Sequence, residues 1–143
     1  MSHDTASAAK RAAAAERERI LVCDDDAHMR DIIVEALATE AFGVDTADRA
    51  VDAIQRIMRT SYRALILDLK LPGLGGLDAI AVVKRFDESL PIIVMTGHAS
   101  YEVEQAARAA GIFYYLVKPF NIEELVAAVR AAVRFRDGSR RRA

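Results

Sequence analysis

Short runs of apolar residues alternate along the chain with stretches in which apolar residues recur every three or four positions. The short runs predict five strands, and the helical spacing between them predicts five helices. The predicted strands cover residues 20–23, 44–47, 64–67, 92–95 and 113–117. The apolar stripes of the helices begin at Met29, Val51, Leu77, Val103 and Leu125. Five strand–helix units in succession are typical of a parallel sheet with helices on both faces.

The composition of each run predicts its place in the sheet. The first, third and fourth runs are apolar throughout, as expected of central parallel strands that are covered on both faces. The second contains Asp45 and Thr46, which is typical of an edge strand. The order 2-1-3-4-5 satisfies these constraints, so we predict a doubly wound (βα)5 sandwich of the α/β class.

The two ends of the chain differ from its middle. A length of 143 residues favours one domain with a tail at each end. Residues 1–19 have no apolar periodicity and are predicted to be a disordered or frayed extension, residues 20–133 the domain, and residues 134–143 an Arg-rich tail. We interpret the tail as a solvated linker.

Charge and cysteine content limit the classes of partner. Residues 20–133 carry 11 basic and 17 acidic side chains, a net charge of −6. This balance disfavours direct nucleic acid binding by the core and favours a bound cation. The single Cys23 indicates a reducing, cytoplasmic environment. No apolar run reaches the length of a membrane span, so no membrane partner is expected.

Polar side chains follow four of the five predicted strands where each strand ends. Asp24 and Asp25 follow the first, Asp68 the third, Thr96 ends the fourth and Lys118 follows the fifth. Ligands of open α/β sheets bind at this edge, where the strand order reverses. Crowded carboxylates need a cation, and oxygen ligands suit Mg²⁺. The set predicts a phosphoryl-transfer site with a carboxylate nucleophile.

These residues resemble the motif set of response-regulator receiver domains of two-component signalling, over residues 20 to about 133. The resemblance implies a phosphoprotein and not an enzyme: Asp68 would accept a phosphoryl group from a sensor histidine kinase or phosphotransfer protein in a phosphorelay. It further implies that Asp25 binds Mg²⁺ directly and Asp24 mainly through water. The backbone carbonyl of Lys70 would be another ligand, and Asp68 itself completes the metal set.

The resemblance also assigns residues that would bind and report the phosphoryl group. Lys118 would bind its oxygens, next to a Lys118–Pro119 peptide that is usually cis in this family. Thr96 would bind the phosphoryl group too, and Thr96 and Tyr115 resemble the switch pair, although Tyr115 on an edge strand fits simple packing equally well. The output surface would be the fourth helix, fifth strand and fifth helix, acting through a partner or through homodimerisation.

Two alternatives stay open. A phosphatase of the haloacid dehalogenase type also uses an Asp after the first strand, an Asp two residues later, a Thr and a Lys, an order that Asp24, Asp26, Thr96 and Lys118 mimic. That hypothesis lacks a later acidic pair and leaves Asp68 without a role. The other alternative is a receiver-like scaffold that binds its partner without phosphorylation.

Overall fold

The computed structural model describes residues 18–142, with side chains described through residue 139. The five strands are β1 Arg19–Cys23, β2 Gly43–Ala47, β3 Ala64–Asp68, β4 Ile92–Thr96 and β5 Tyr114–Val117. The five helices are α1 Ala27–Ala38, α2 Ala50–Arg59, α3 Gly76–Phe86, α4 Tyr101–Ala109 and α5 Ile122–Arg142. All strand pairs are parallel, in the order β2-β1-β3-β4-β5. The predicted fold class and strand order are confirmed.

Side chains that point alternately to the two faces of the sheet divide the apolar core into two layers. In β1, Leu21 and Cys23 contact the layer formed by α2, α3 and α4, whereas Ile20 and Val22 contact the layer formed by α1 and α5. Successive side chains of a strand point to opposite faces, so a run that is apolar at every position is buried on both. The sheet is thereby fixed between two helical layers, and the polar groups of its three central strands are left at the strand ends.

The carboxyl-terminal helix differs from the expected tail. It continues without a break past residue 133 to Arg142, and Arg136 is only 2% exposed. Its guanidinium donates hydrogen bonds of 2.7 Å to Asp87 Oδ1 and to Ser89 Oγ, both in the loop before β4. The interpretation of residues 134–143 as a solvated linker is therefore wrong for Arg136, because the half-buried Asp87 carboxylate holds its buried guanidinium against the domain.

A second ion-pair network ties the beginning of the described chain to its end. Arg63, before β3, lies within salt-bridge distance of Glu18 and of Asp137 in α5. Arg19 begins β1, so the strand starts inside the predicted 1–19 extension, and Glu18 is described as well. Residues 1–17 of that extension lie outside the described residues. Among residues 18–142, no helix is long and apolar enough to span a membrane.

We predict that Arg136→Met destabilises the protein by about 2 kcal/mol, because it leaves the Asp87 carboxylate without its cation. Arg134→Met is the matched control: Arg134 is exposed on the same helix, and its loss should change the free energy of unfolding by less than about 0.5 kcal/mol. Urea unfolding followed by circular dichroism measures both. Equal stabilities of the two variants would contradict the structural role of Arg136.

Candidate functional site

The carboxyl ends of four strands bring the predicted polar residues to one edge of the sheet. Asp24 directly follows β1, Asp68 is the last residue of β3, Thr96 is the last of β4, and Lys118 directly follows β5. Parallel strands must end at the same edge, so side chains from positions up to 94 residues apart in sequence meet there.

Asp24 is completely buried. Its Oδ1 accepts a hydrogen bond of 2.9 Å from the Asp26 backbone N–H, and its Oδ2 accepts one of 3.0 Å from Lys118 Nζ. The chain then turns into α1, where the Asp26 carboxylate accepts from the backbone N–H groups of His28 and Met29. Asp26 is therefore the N-cap of α1 and not part of the acidic cluster.

Asp68 is 5% exposed and shares the same ammonium group. Its Oδ2 accepts a 3.0 Å hydrogen bond from Lys118 Nζ, and its Oδ1 accepts one of 2.8 Å from the Lys70 backbone N–H. Burial raises the pKa of Asp68, an effect that the Lys70 N–H and Lys118 partly offset and Asp24 reinforces. Burial by itself would lower the pKa of Lys118, but its bonds to the two carboxylates outweigh that and raise it. Lys118 is thus held as a cation between two carboxylates.

The donor set at this edge fits a divalent cation. Asp24, Asp25 and Asp68 each offer a carboxylate oxygen, and the three oxygens lie within 4.8 Å of one another. Asp25 is exposed, so the cluster is open to solvent on that side. Three carboxylates and one ammonium leave a net charge of −2, and an all-oxygen set with an open side suits Mg²⁺.

Thr96 and Tyr115 occupy neighbouring strands beside this cluster. Thr96 is 3% exposed, and its Oγ1 accepts a 3.1 Å hydrogen bond from the backbone N–H of His98. The Tyr115 side chain is turned into the protein, and burial raises its pKa. The Tyr115 hydroxyl forms no hydrogen bond with any described group. The Ser100 backbone nevertheless lies close enough to lower the Tyr115 pKa slightly, against the effect of burial. The Tyr115 hydroxyl therefore lacks a strong polar anchor in this position.

The backbone around Lys118 is closely constrained. Its N–H donates a 2.8 Å hydrogen bond to the Thr96 carbonyl, which continues the pairing of β5 with β4. The Lys118–Pro119 peptide bond is cis. The Lys118 side chain is directed toward the Asp24 and Asp68 carboxylates, to which its Nζ donates.

Two residues outside the predicted site, Arg30 and Gly76, also shape it. Arg30 Nη1 donates a 2.7 Å hydrogen bond to the backbone carbonyl of Asp24. Gly76 lies so close to Leu69 that a Cβ there would be 2.5 Å from the Leu69 Cα, so the loop after β3 requires glycine. A glycine pair at residues 75–76 is a visible signal for a close approach, whereas nothing in the sequence distinguishes the half-buried Arg30 from the exposed arginines.

Comparisons with curated proteins point to one family. The family model described as the response regulator receiver domain matches residues 20–130. The response regulator MprA of Mycobacterium leprae (strain TN) is 36% identical over 116 residues, which are 81% of this chain and 51% of that relative. MprA of Mycobacterium avium (strain 104) is 37% identical with the same coverage. The chain thus spans about half the length of these curated relatives.

Solved structures share the fold. A CheY-like response regulator receiver domain protein from Methanospirillum hungatei JF-1 superposes with a TM-score of 0.82 at 25% identity, covering 87% of this chain and 99% of that one. The signal receiver domain of an HD domain-containing protein from Pseudomonas fluorescens Pf-5 gives a TM-score of 0.84 at 25% identity, covering 89% and 94%. With the family match over residues 20–130, these similarities show that the chain belongs to the response regulator receiver domain family of two-component signalling.

Proposed function

We propose that Asp68 accepts a phosphoryl group from the phosphohistidine of a sensor histidine kinase or a phosphotransfer protein, in the cytoplasm and with Mg²⁺. The observation that carries this proposal is the position of Lys118 Nζ, 3.0 Å from both Asp24 and Asp68. An ammonium beside a carboxylate nucleophile is placed to neutralise the oxygens of an incoming phosphoryl group.

The transfer exchanges one bond for another. A carboxylate oxygen of Asp68 attacks phosphorus, the new P–O bond forms, the P–N bond breaks, and the imidazole leaves with the bonding electron pair. Lys118 and the Thr96 hydroxyl bind the phosphoryl oxygens. Asp24, Asp25, Asp68 and the Lys70 carbonyl would hold Mg²⁺, which supplies charge neutralisation for the transferring group.

The burial of the two carboxylates favours Asp68 over Asp24 as the acceptor. The Asp24 side chain has no exposed surface, whereas that of Asp68 keeps 7%. The phosphatase hypothesis also needs Asp26 beside the nucleophile, but its carboxylate caps α1. The site therefore supports a phosphoacceptor better than a haloacid dehalogenase-type phosphatase.

The output surface proposed here is the face formed by α4, β5 and α5. Thr96 and Tyr115 adjoin it, and Tyr101 and Val117 present exposed apolar surface there, 75% and 43% exposed. Recruitment of the Thr96 hydroxyl to the phosphoryl group removes it from the His98 N–H and changes the space beside Tyr115. We propose that this change alters binding to a partner or homodimerisation through the same face.

Incubation with acetyl phosphate and Mg²⁺ should add one phosphoryl group to the chain, because Asp68 is the accessible carboxylate beside the ammonium. Intact mass spectrometry measures the gain, which should disappear with EDTA and in Asp68→Asn. Asp26→Asn, a matched change in the exposed N-cap, should leave the gain intact.

The other results separate the alternatives. No gain in a folded wild-type chain would favour a scaffold that works without phosphorylation. A gain that persists in Asp68→Asn and maps to Asp24 would favour the phosphatase hypothesis.

Lys118→Met should bind Mg²⁺ about tenfold more tightly than the wild type, because the ammonium that competes with the metal for Asp24 and Asp68 is lost. Isothermal titration with MgCl₂ measures the affinity. Arg85→Met, which removes an exposed cation from α3, should change it by less than about twofold. Weaker binding by Lys118→Met, with the fold intact by circular dichroism, would argue against these carboxylates as the metal ligands.

Phosphorylation should shift the backbone amide resonances of residues 101–130, because the proposed switch lies against α4, β5 and α5. Two-dimensional ¹⁵N NMR of the chain with and without acetyl phosphate measures this. Asp68→Asn under the same conditions controls for direct effects of the reagent. Shifts limited to the loops that carry the carboxylates, with residues 101–130 unchanged, would refute the proposed output face.

A further inference from the structure

A polar cleft lies along the outer edge of β2, beside the carboxylate site but lined by none of its carboxylates. Its volume is about 550 Å³, and it is lined by Arg30 of α1, Thr46 and Ala47 of β2, and Arg56 and Arg59 of α2, among others. α1 and α2 pack on opposite faces of the sheet. A cavity that reaches both helices must therefore pass around the edge of β2, and we call it the β2 cleft.

Backbone groups of β2 face this cleft without a partner strand. β2 pairs only with β1 among the described strands. The Gly43 N–H and the Ala47 carbonyl bond toward β1, to Glu18 and Asp24 respectively. Because alternate residues of a strand direct their N–H and C=O groups to opposite sides, those of Val44 and Thr46 face outward. An unpaired edge of this kind is a template for an added strand.

Guanidinium groups flank this edge on both faces of the sheet. Arg30 lies on the α1 side and donates to the carbonyl of Asp24, and Arg56 lies on the α2 side near the Tyr62 hydroxyl. The Arg59 guanidinium forms no hydrogen bond or ion pair with any described residue.

The charge of the cleft differs from that of the domain around it. Among residues 18–139, none of the three arginines has a carboxylate within 4.0 Å. With Asp48 and Asp52, which also line the cleft, the lining carries a net charge of +1 in a domain whose net charge is −6. The β2 cleft thus combines an open strand edge with a lining whose net charge is +1.

We propose that the β2 cleft binds an extended acidic peptide segment of a partner protein, which adds a strand to the open edge of β2. Backbone hydrogen bonds to Val44 and Thr46 would give affinity, as in other strand additions. Side chains of the added strand alternate between the two faces, so acidic residues at every second position would meet Arg56 and Arg59 on the α2 face, and the residues between them would lie on the Arg30 face. This function is separate from phosphoryl transfer and does not depend on it.

The test uses the ¹⁵N-labelled 143-residue chain without Mg²⁺ or phosphodonor, so that its result is independent of Asp68. The probe is a terminally blocked peptide of about eight residues, a usual strand length, that alternates Glu and Val. A peptide that alternates Glu and Pro has the same charge but lacks the N–H groups a ladder needs, and one that alternates Lys and Val reverses the charge. We expect only the Glu–Val peptide to shift the amides of Val44 and Thr46 and to slow exchange of the Thr46 amide hydrogen.

Two charge reversals serve as variant and control. Arg59→Glu should weaken binding of the Glu–Val peptide at least tenfold. Arg85→Glu makes the same charge change on an exposed residue of α3 outside the cleft and should change affinity by less than twofold. Thr46→Pro, which removes one outward N–H from an edge strand, should abolish binding; if it fails to fold, Arg59→Glu still decides the question.

Several outcomes would overturn the proposal. Equal binding of the Glu–Pro peptide would mean a charge effect without strand addition. The same amide shifts with inorganic phosphate alone would mean a small-anion site. Absence of shifts at millimolar Glu–Val peptide, or self-association of the chain through β2 in sedimentation experiments, would exclude an acidic peptide as the occupant.

Discussion

The carboxylate site depends on one ammonium group that compensates two carboxylates inside the protein. Asp24 is fully buried and Asp68 nearly so, and like charges in this environment are costly without a counter-charge. Lys118 lies 3.0 Å from both. With Asp25, three carboxylates surround the one positive charge of Lys118, so a net charge of −2 remains at the site. This excess of negative charge follows from the protein's own side chains and would favour a further cation at the site.

Lys118 can pair with both carboxylates only because of the order of the strands in the sheet. It follows β5, whereas Asp68 ends β3 and Asp24 follows β1. With strands about 4.8 Å apart, its side chain has to cross the end of β4 to reach Asp68 and the end of β3 to reach Asp24. The long lysine stem makes this reach while the Lys118 N–H stays bonded to the Thr96 carbonyl. Sheet topology, side-chain length and backbone register together determine where the Lys118 ammonium lies between the Asp24 and Asp68 carboxylates.

The strand ends could be predicted from the sequence because each apolar run stops at a polar residue. The sheet order then assigns Asp24, Asp68 and Lys118 to one edge before any coordinates are known. The burial of Arg136 could not be predicted in this way, because a run of arginines at the end of a chain has the composition of a solvated segment. Its burial depends on Asp87, 49 residues earlier, and no local pattern records that contact.

Charged groups lie at both ends of the sheet, but positive and negative charges are matched at one end and not at the other. At the amino end, Arg136 is matched by Asp87, and Arg63 by Glu18 and Asp137, so the protein supplies both signs of charge. At the carboxyl end the carboxylates outnumber the ammonium. A metal ion or a phosphoryl group therefore changes the electrostatic balance at one end and leaves the pairs at the other intact. Under the proposed phosphorylation, this asymmetry would keep the response local, because the apolar middle of the sheet and its amino-end pairs would hold the architecture constant.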